Sequence, residues 1–133
     1  GELWTIDDLR RCQEQSGCCH FMVGRGALAE PGLVTTLARE LGIPTECHHL
    51  EVCGGDAKRW FPLLVELIED SIHAGEPERR TLSRIKQWLN YAHHKGEVRW
   101  FDTLKRLESL SSLLSALGNL ADIPEVDRVR RAA

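Results

Sequence analysis

The run Cys19-His20-Phe21-Met22-Val23 is short, apolar and followed by Gly24-Arg25-Gly26-Ala27, the pattern of a buried parallel strand handing over to a turn. A strand must pair its backbone N–H and C=O groups with neighbouring strands. Nothing else in the 133 residues reads as a strand. The chain is therefore expected to be mainly α. Its single strand would belong to a sheet whose other strands precede Gly1, which makes the chain a fragment.

Helix signals flank that run. Thr5-Ile6-Asp7-Asp8 has the form of a capping box with Asp8 in place of the usual Glu or Gln. The helix it opens should run to about Gln15 and stop at Gly17. Pro31 opens another helix through about Glu40, closed by Gly42. Helix, strand, glycine turn and helix repeat the rhythm of an α/β barrel, so residues 1–42 are expected to be the remnant of a truncated (β/α)8 barrel. Residues 43–57 hold two glycines, a proline and no hydrophobic period, and read as a linker.

From 58 to 133 the apolar residues return at helical spacing. Trp60, Leu63, Leu64, Leu67 and Ile68 mark one helix, which ends at the Gly75-Glu76-Pro77 break. A second spans about 78–94, with Leu82, Ile85, Trp88, Leu89 and Ala92 on one side. Trp100, Phe101, Leu104 and Leu107 mark the next segment; Leu110, Leu113, Leu114 and Leu117 follow, closed by Gly118-Asn119. A last short helix is expected near Pro124. Together these make a small helical bundle.

Charge divides along the same line. The net charge is −3, yet residues 1–76 carry 6 Lys/Arg against 13 Asp/Glu, and residues 77–133 carry 11 against 7. Between Arg79 and Arg106 there are 8 basic residues and only Glu97 and Asp102 to oppose them. Such a cluster suits a polyanion, although a solvated helix face has the same composition. At about 100° per residue, Arg80, Arg84, Gln87, Tyr91 and His94 share one face of the 78–94 helix. Guanidinium groups, an amide and a stacking ring on one surface suit a folded RNA backbone. Trp88 falls on the apolar side and is expected to be a packing residue.

With 42% hydrophobic and 28% charged residues the chain is globular, and no apolar stretch is long enough to span a bilayer. No basic-then-apolar leader opens it, so a cytoplasmic location with reduced thiols is expected. The five cysteines (Cys12, Cys18, Cys19, Cys47, Cys53) show no paired CxxC spacing, and no metal site is expected. No serine stands in a nucleophile elbow and no cysteine has an activating context, so no catalytic residue is assigned. Gly24-Arg25-Gly26 is either a tight turn or one half of a phosphate cup, the other half being Gly1-Glu2.

Gly1-Glu2-Leu3-Trp4, Gly17-Cys18, Met22-Val23-Gly24-Arg25-Gly26-Ala27-Leu28 and Arg84-Ile85-Lys86-Gln87-Trp88-Leu89 occur in the order and spacing of a tRNA-dihydrouridine synthase. The chain most resembles the bacterial C subfamily, from Gly1 to roughly Tyr91. The resemblance implies an FMN-holding barrel followed by a helical tRNA-binding domain. NADPH reduces the flavin, and the flavin reduces the 5,6-double bond of a uridine in tRNA. It also implies cofactor contacts at Gly1, Glu2, Gly24 and Arg25, and places Arg84, Lys86 and Gln87 in the RNA-binding motif helix. With the charge excess, the expected tRNA contacts are Arg80, Arg84, Lys86, Gln87, Lys95 and Arg99. The family's proton-donating cysteine has no counterpart here, so this chain alone is expected to be inactive. The parent enzyme is expected to be monomeric, and the fragment to self-associate through uncovered apolar surface. A helical protein-interaction module with a basic face for an acidic partner is the alternative reading.

Overall fold

The structure is a computed structural model describing residues 2–45, 56–96 and 98–124. The chain divides into two compact units, Gly1–Cys53 and Gly54–Ala133. Each is built from helices, and among the described residues there is no strand. The mainly-α expectation therefore holds.

The first unit opens with α1, Ile6–Ser16. Thr5 and Asp8 close its N-terminus reciprocally: Thr5 Oγ1 accepts from the Asp8 N–H at 3.1 Å, and Asp8 Oδ2 accepts from the Trp4 N–H at 3.1 Å. This is the capping box read from the sequence, with the shorter Asp serving. Gly17, at φ 67°, turns the chain out of the helix. Two short helices follow, α2 (Arg25–Ala29) and α3 (Leu33–Glu40).

The strand expected over Cys19–Val23 is not formed. Those residues run without regular structure, because no described segment lies alongside to take their hydrogen bonds. Phe21 and Val23 instead pack on a small cluster of Leu3, Leu9, Leu33 and Leu37, while Met22 points to solvent, 89% exposed. The turn expected over Gly24–Ala27 is largely the first part of α2.

In the second unit the Asp56 carboxylate accepts from the Lys58 N–H at 2.9 Å and caps α4, Ala57–His73. Residues 46–55, most of the expected linker, lie outside the described residues. After the Gly75-Glu76-Pro77 break comes α5, Glu78–His94, the span expected from its periodicity. Helices α6 (Phe101–Leu104) and α7 (Leu110–Leu120) complete the unit, and α4 packs against both α5 and α7. Trp60, Phe61, Leu64, Ile85, Leu89 and Leu113 are at most 1% exposed at its centre. Trp88 meets Trp60 edge-on, ring centroids 5.5 Å apart, which makes it the packing residue expected.

One helix end differs from expectation. Gly118-Asn119 does not close α7; Gly118 is buried within it. The left-handed position falls on Asp122 (φ 54°), with the Ile123 N–H bonded to the Gly118 carbonyl at 2.9 Å. A short polar residue tolerates the left-handed turn. The helix expected near Pro124 falls beyond the described residues.

Candidate functional site

The basic surface is made by α5. Its apolar residues Leu82, Ile85, Leu89 and Ala92 are buried, so the register turns Arg80, Arg84 and Gln87 outward along one row, all exposed. Tyr91 continues the row half-buried and His94 exposed. Lys86, about 100° round the helix from Gln87, is half-buried on a flank rather than in the row. Lys95 caps α5 at its C-terminal end, and Arg99 is exposed in the turn beyond. The six residues expected to contact RNA are thus a row of three, a flanking lysine, and two cations past the helix end.

The row is not uniformly free. Arg80 makes no ion pair among the described residues, whereas Arg84 Nη1 donates to Glu76 Oε2 at 2.8 Å. Sequence reading assigned Glu76 only to a helix break. An acid eight residues before a helical arginine is not a helical pair, so local spacing carried no signal of the contact.

The far end of α5 is held by His93. A carbonyl only accepts, so its Nδ1 donates to the Val98 carbonyl at 2.8 Å, while Nε2 lies 3.8 Å from Asp102. Its ring also packs on Phe101, centroids 5.6 Å apart. The Asp102 carboxyl is held below the usual carboxylate range, chiefly by its hydrogen bond from Lys105 at 2.5 Å, with a smaller attraction from His93. These contacts tie the Arg99 turn to α5. Lys105 is consequently committed to Asp102.

In the first unit the residues expected around a cofactor phosphate are partly brought together. Gly1 lies outside the described residues. Glu2 and Arg25 form an ion pair in which both side chains are more than half exposed. Gly24 precedes α2. Gly26, the second glycine of the turn, is buried because the Leu3 backbone lies against it: a Cβ there would stand 2.3 Å from the Leu3 carbonyl oxygen. Its missing side chain is thus accounted for by packing. With the space at Gly26 filled by the Leu3 backbone, the described residues do not by themselves fit a flavin phosphate.

Among the described residues no group of three or more His, Cys, Asp or Glu could hold a metal ion. Cys18 and Cys19 are exposed and Cys12 is half-buried, all as free thiols; Cys47 and Cys53 fall outside the described residues. No described helix is long and apolar enough to cross a membrane.

The family model described as dihydrouridine synthase matches residues 1–123. The chain is 36% identical over 91 residues to a tRNA-dihydrouridine(16) synthase of Aquipseudomonas alcaligenes, covering 67% of this chain and 26% of that protein. It is 38% identical over 93 residues to the tRNA-dihydrouridine(16) synthase of Pseudomonas putida, covering 67% and 25%. For that of Ralstonia nicotianae the identity is 31% over 94 residues, covering 68% and 26%. The chain therefore spans about a quarter of the length of these curated relatives. No solved structure matches it significantly.

Proposed function

The chain belongs to the dihydrouridine synthase family, and from that premise we propose that residues 58–133 are the tRNA-binding helical domain of such an enzyme, residues 1–42 contributing part of its barrel. The whole enzyme would reduce a uridine of tRNA to 5,6-dihydrouridine with FMN and NADPH. The relatives are named tRNA-dihydrouridine(16) synthases, which supports position 16 as the proposed target. The observation that carries the reading is the outward row of Arg80, Arg84 and Gln87 on a helix whose other face buries Leu82, Ile85, Leu89 and Ala92.

Phosphate contacts supply most of the affinity of such a surface and make it salt-dependent. Lys86, Lys95 and Arg99 would add positive charge around the row. Gly1, Glu2, Gly24 and Arg25 would reach the cofactor only as part of a larger site, so the chain alone is proposed to be inactive. A cytoplasmic location goes with the proposed action on tRNA.

Labelled tRNA titrated against the chain at two salt concentrations tests this. Arg80→Ala with Arg84→Ala should weaken binding about tenfold and lower the salt slope by about 2. A slope that does not change, or heparin bound as tightly as tRNA at equal charge, would favour an acidic protein partner instead.

A further inference from the structure

Glu76 sits where its backbone has little freedom. At the end of α4 the Gly75 N–H bonds to the Ile72 carbonyl and the Glu76 N–H to the Ser71 carbonyl, both at 2.9 Å, with Gly75 at φ 70°. This is a Schellman closure. Pro77 follows at φ −61° and leads directly into α5. Glu76 is therefore fixed on both sides, and its side chain is only 21% exposed.

Arg84 leans back toward this turn, as helical side chains do. One corner of its guanidinium is taken by Glu76 at 2.8 Å, its side chain remains 49% exposed, and its other N–H donors have no partner among the described residues. A planar fork held at one corner with its other edge open is arranged for a second anion.

We propose that Glu76 is a positioning residue that pre-orders Arg84 for a phosphate of bound RNA. This rests on the reading of the α5 face as the tRNA surface. Two effects oppose each other. The Glu76 charge repels the phosphate that would share Arg84 with it, because the two lie inside the screening length of about 8 Å at physiological ionic strength; only the repulsion of more distant phosphates is screened. The same carboxylate removes rotamer freedom from Arg84 before binding, so less is lost on forming the complex.

The opposite signs make the test clean. Titrate labelled tRNA and, separately, heparin against the full chain, its Glu76→Gln and Arg84→Ala variants, and the double variant, with circular dichroism to verify the helices. Positioning predicts that Glu76→Gln weakens tRNA binding about two- to fivefold, although it removes a negative charge, and changes nothing once Arg84 is Ala. Heparin, reporting charge alone, should bind Glu76→Gln as well as or better than the original chain. If Glu76→Gln binds tRNA as tightly as the parent, or weakens it equally without Arg84, the inference is wrong while the tRNA reading stands. If the unmodified chain shows no salt-sensitive tRNA binding, both fall.

Discussion

The two units differ in how completely they bury themselves. In residues 54–133 the helices enclose Trp60, Phe61, Leu64, Leu89, Leu104 and Leu113, none more than 1% exposed. In residues 1–53 only one large side chain among those described, Leu9, is buried that deeply, and Met22, Leu28, Val34 and Ile43 stand 40–89% exposed. Helix signals are equally legible in both: α1 has its capping box and α4 and α7 their Asp56 and Ser109 caps. Good local signals therefore do not make a core. That depends on whether each apolar face meets another, and the first unit carries more apolar side chains that its described residues do not cover than the second, where Ile72 and Leu120 stand exposed.

This contrast can be broken by mutation. Phe61→Ala should cost about 3–5 kcal/mol, since the deeply buried ring leaves a cavity that the surrounding helices cannot refill. Exposed Val34→Ala in the first unit should shift stability by less than about 0.5 kcal/mol. Urea unfolding followed by tryptophan fluorescence measures both; a small loss for Phe61→Ala would mean that the second unit is not closed as described.

An intermediate effect is expected where the first unit is tight. Gly26→Ala drives a Cβ against the Leu3 carbonyl, a backbone atom that cannot swing aside, and should cost about 1–3 kcal/mol. Hydrogen exchange should quicken at the amides of α2 and α3 and stay unchanged in α4 and α5. Unchanged α2 and α3 protection would count against the close approach.

Smaller effects than at Phe61 or Gly26 are expected at the caps. Thr5→Ala in α1 and Ser109→Ala in α7 should each cost about 1 kcal/mol, and similar values from the two units would show that local helix chemistry is shared while burial is not. Acid refines this further. The Asp8 carboxyl lies below its ordinary value, chiefly through the Thr5 hydroxyl, then the Trp4 N–H, with Arg11 adding attraction. A depressed carboxyl stabilises the fold above its unfolded pKa, and that contribution is lost as pH falls through the folded one. Helical content of α1 should therefore decline below the usual carboxylate range, and decline less in Asp8→Asn, where the Arg10 pairs with Asp7 and Glu40 remain. An unaltered acid limb in that variant would sink the assignment.

Much of the second unit was legible from hydrophobic spacing alone. The period of Leu82, Ile85, Leu89 and Ala92 gave α5 its span and its outward row, because burial of one face dictates the exposure of the other. The first unit was legible only at its helix ends. Phe21 and Val23 alternate with exposed Met22 as strand residues do, but without a described neighbour the same alternation serves an irregular segment draped over Leu3, Leu9 and Leu33. The reading of Gly118 failed for a related reason. A glycine ends a helix or admits a neighbour, and sequence does not separate the two uses.

Local chemistry in the sequence determined which segments are helical, where most of them begin, and which face of α5 carries the cations, since capping and periodicity act over four or five residues. Tertiary structure alone decided that Glu76 holds Arg84, that Gly26 admits the Leu3 carbonyl, and that the Cys19–Val23 run makes no strand. Each of these depends on atoms brought together by folding rather than by proximity along the chain.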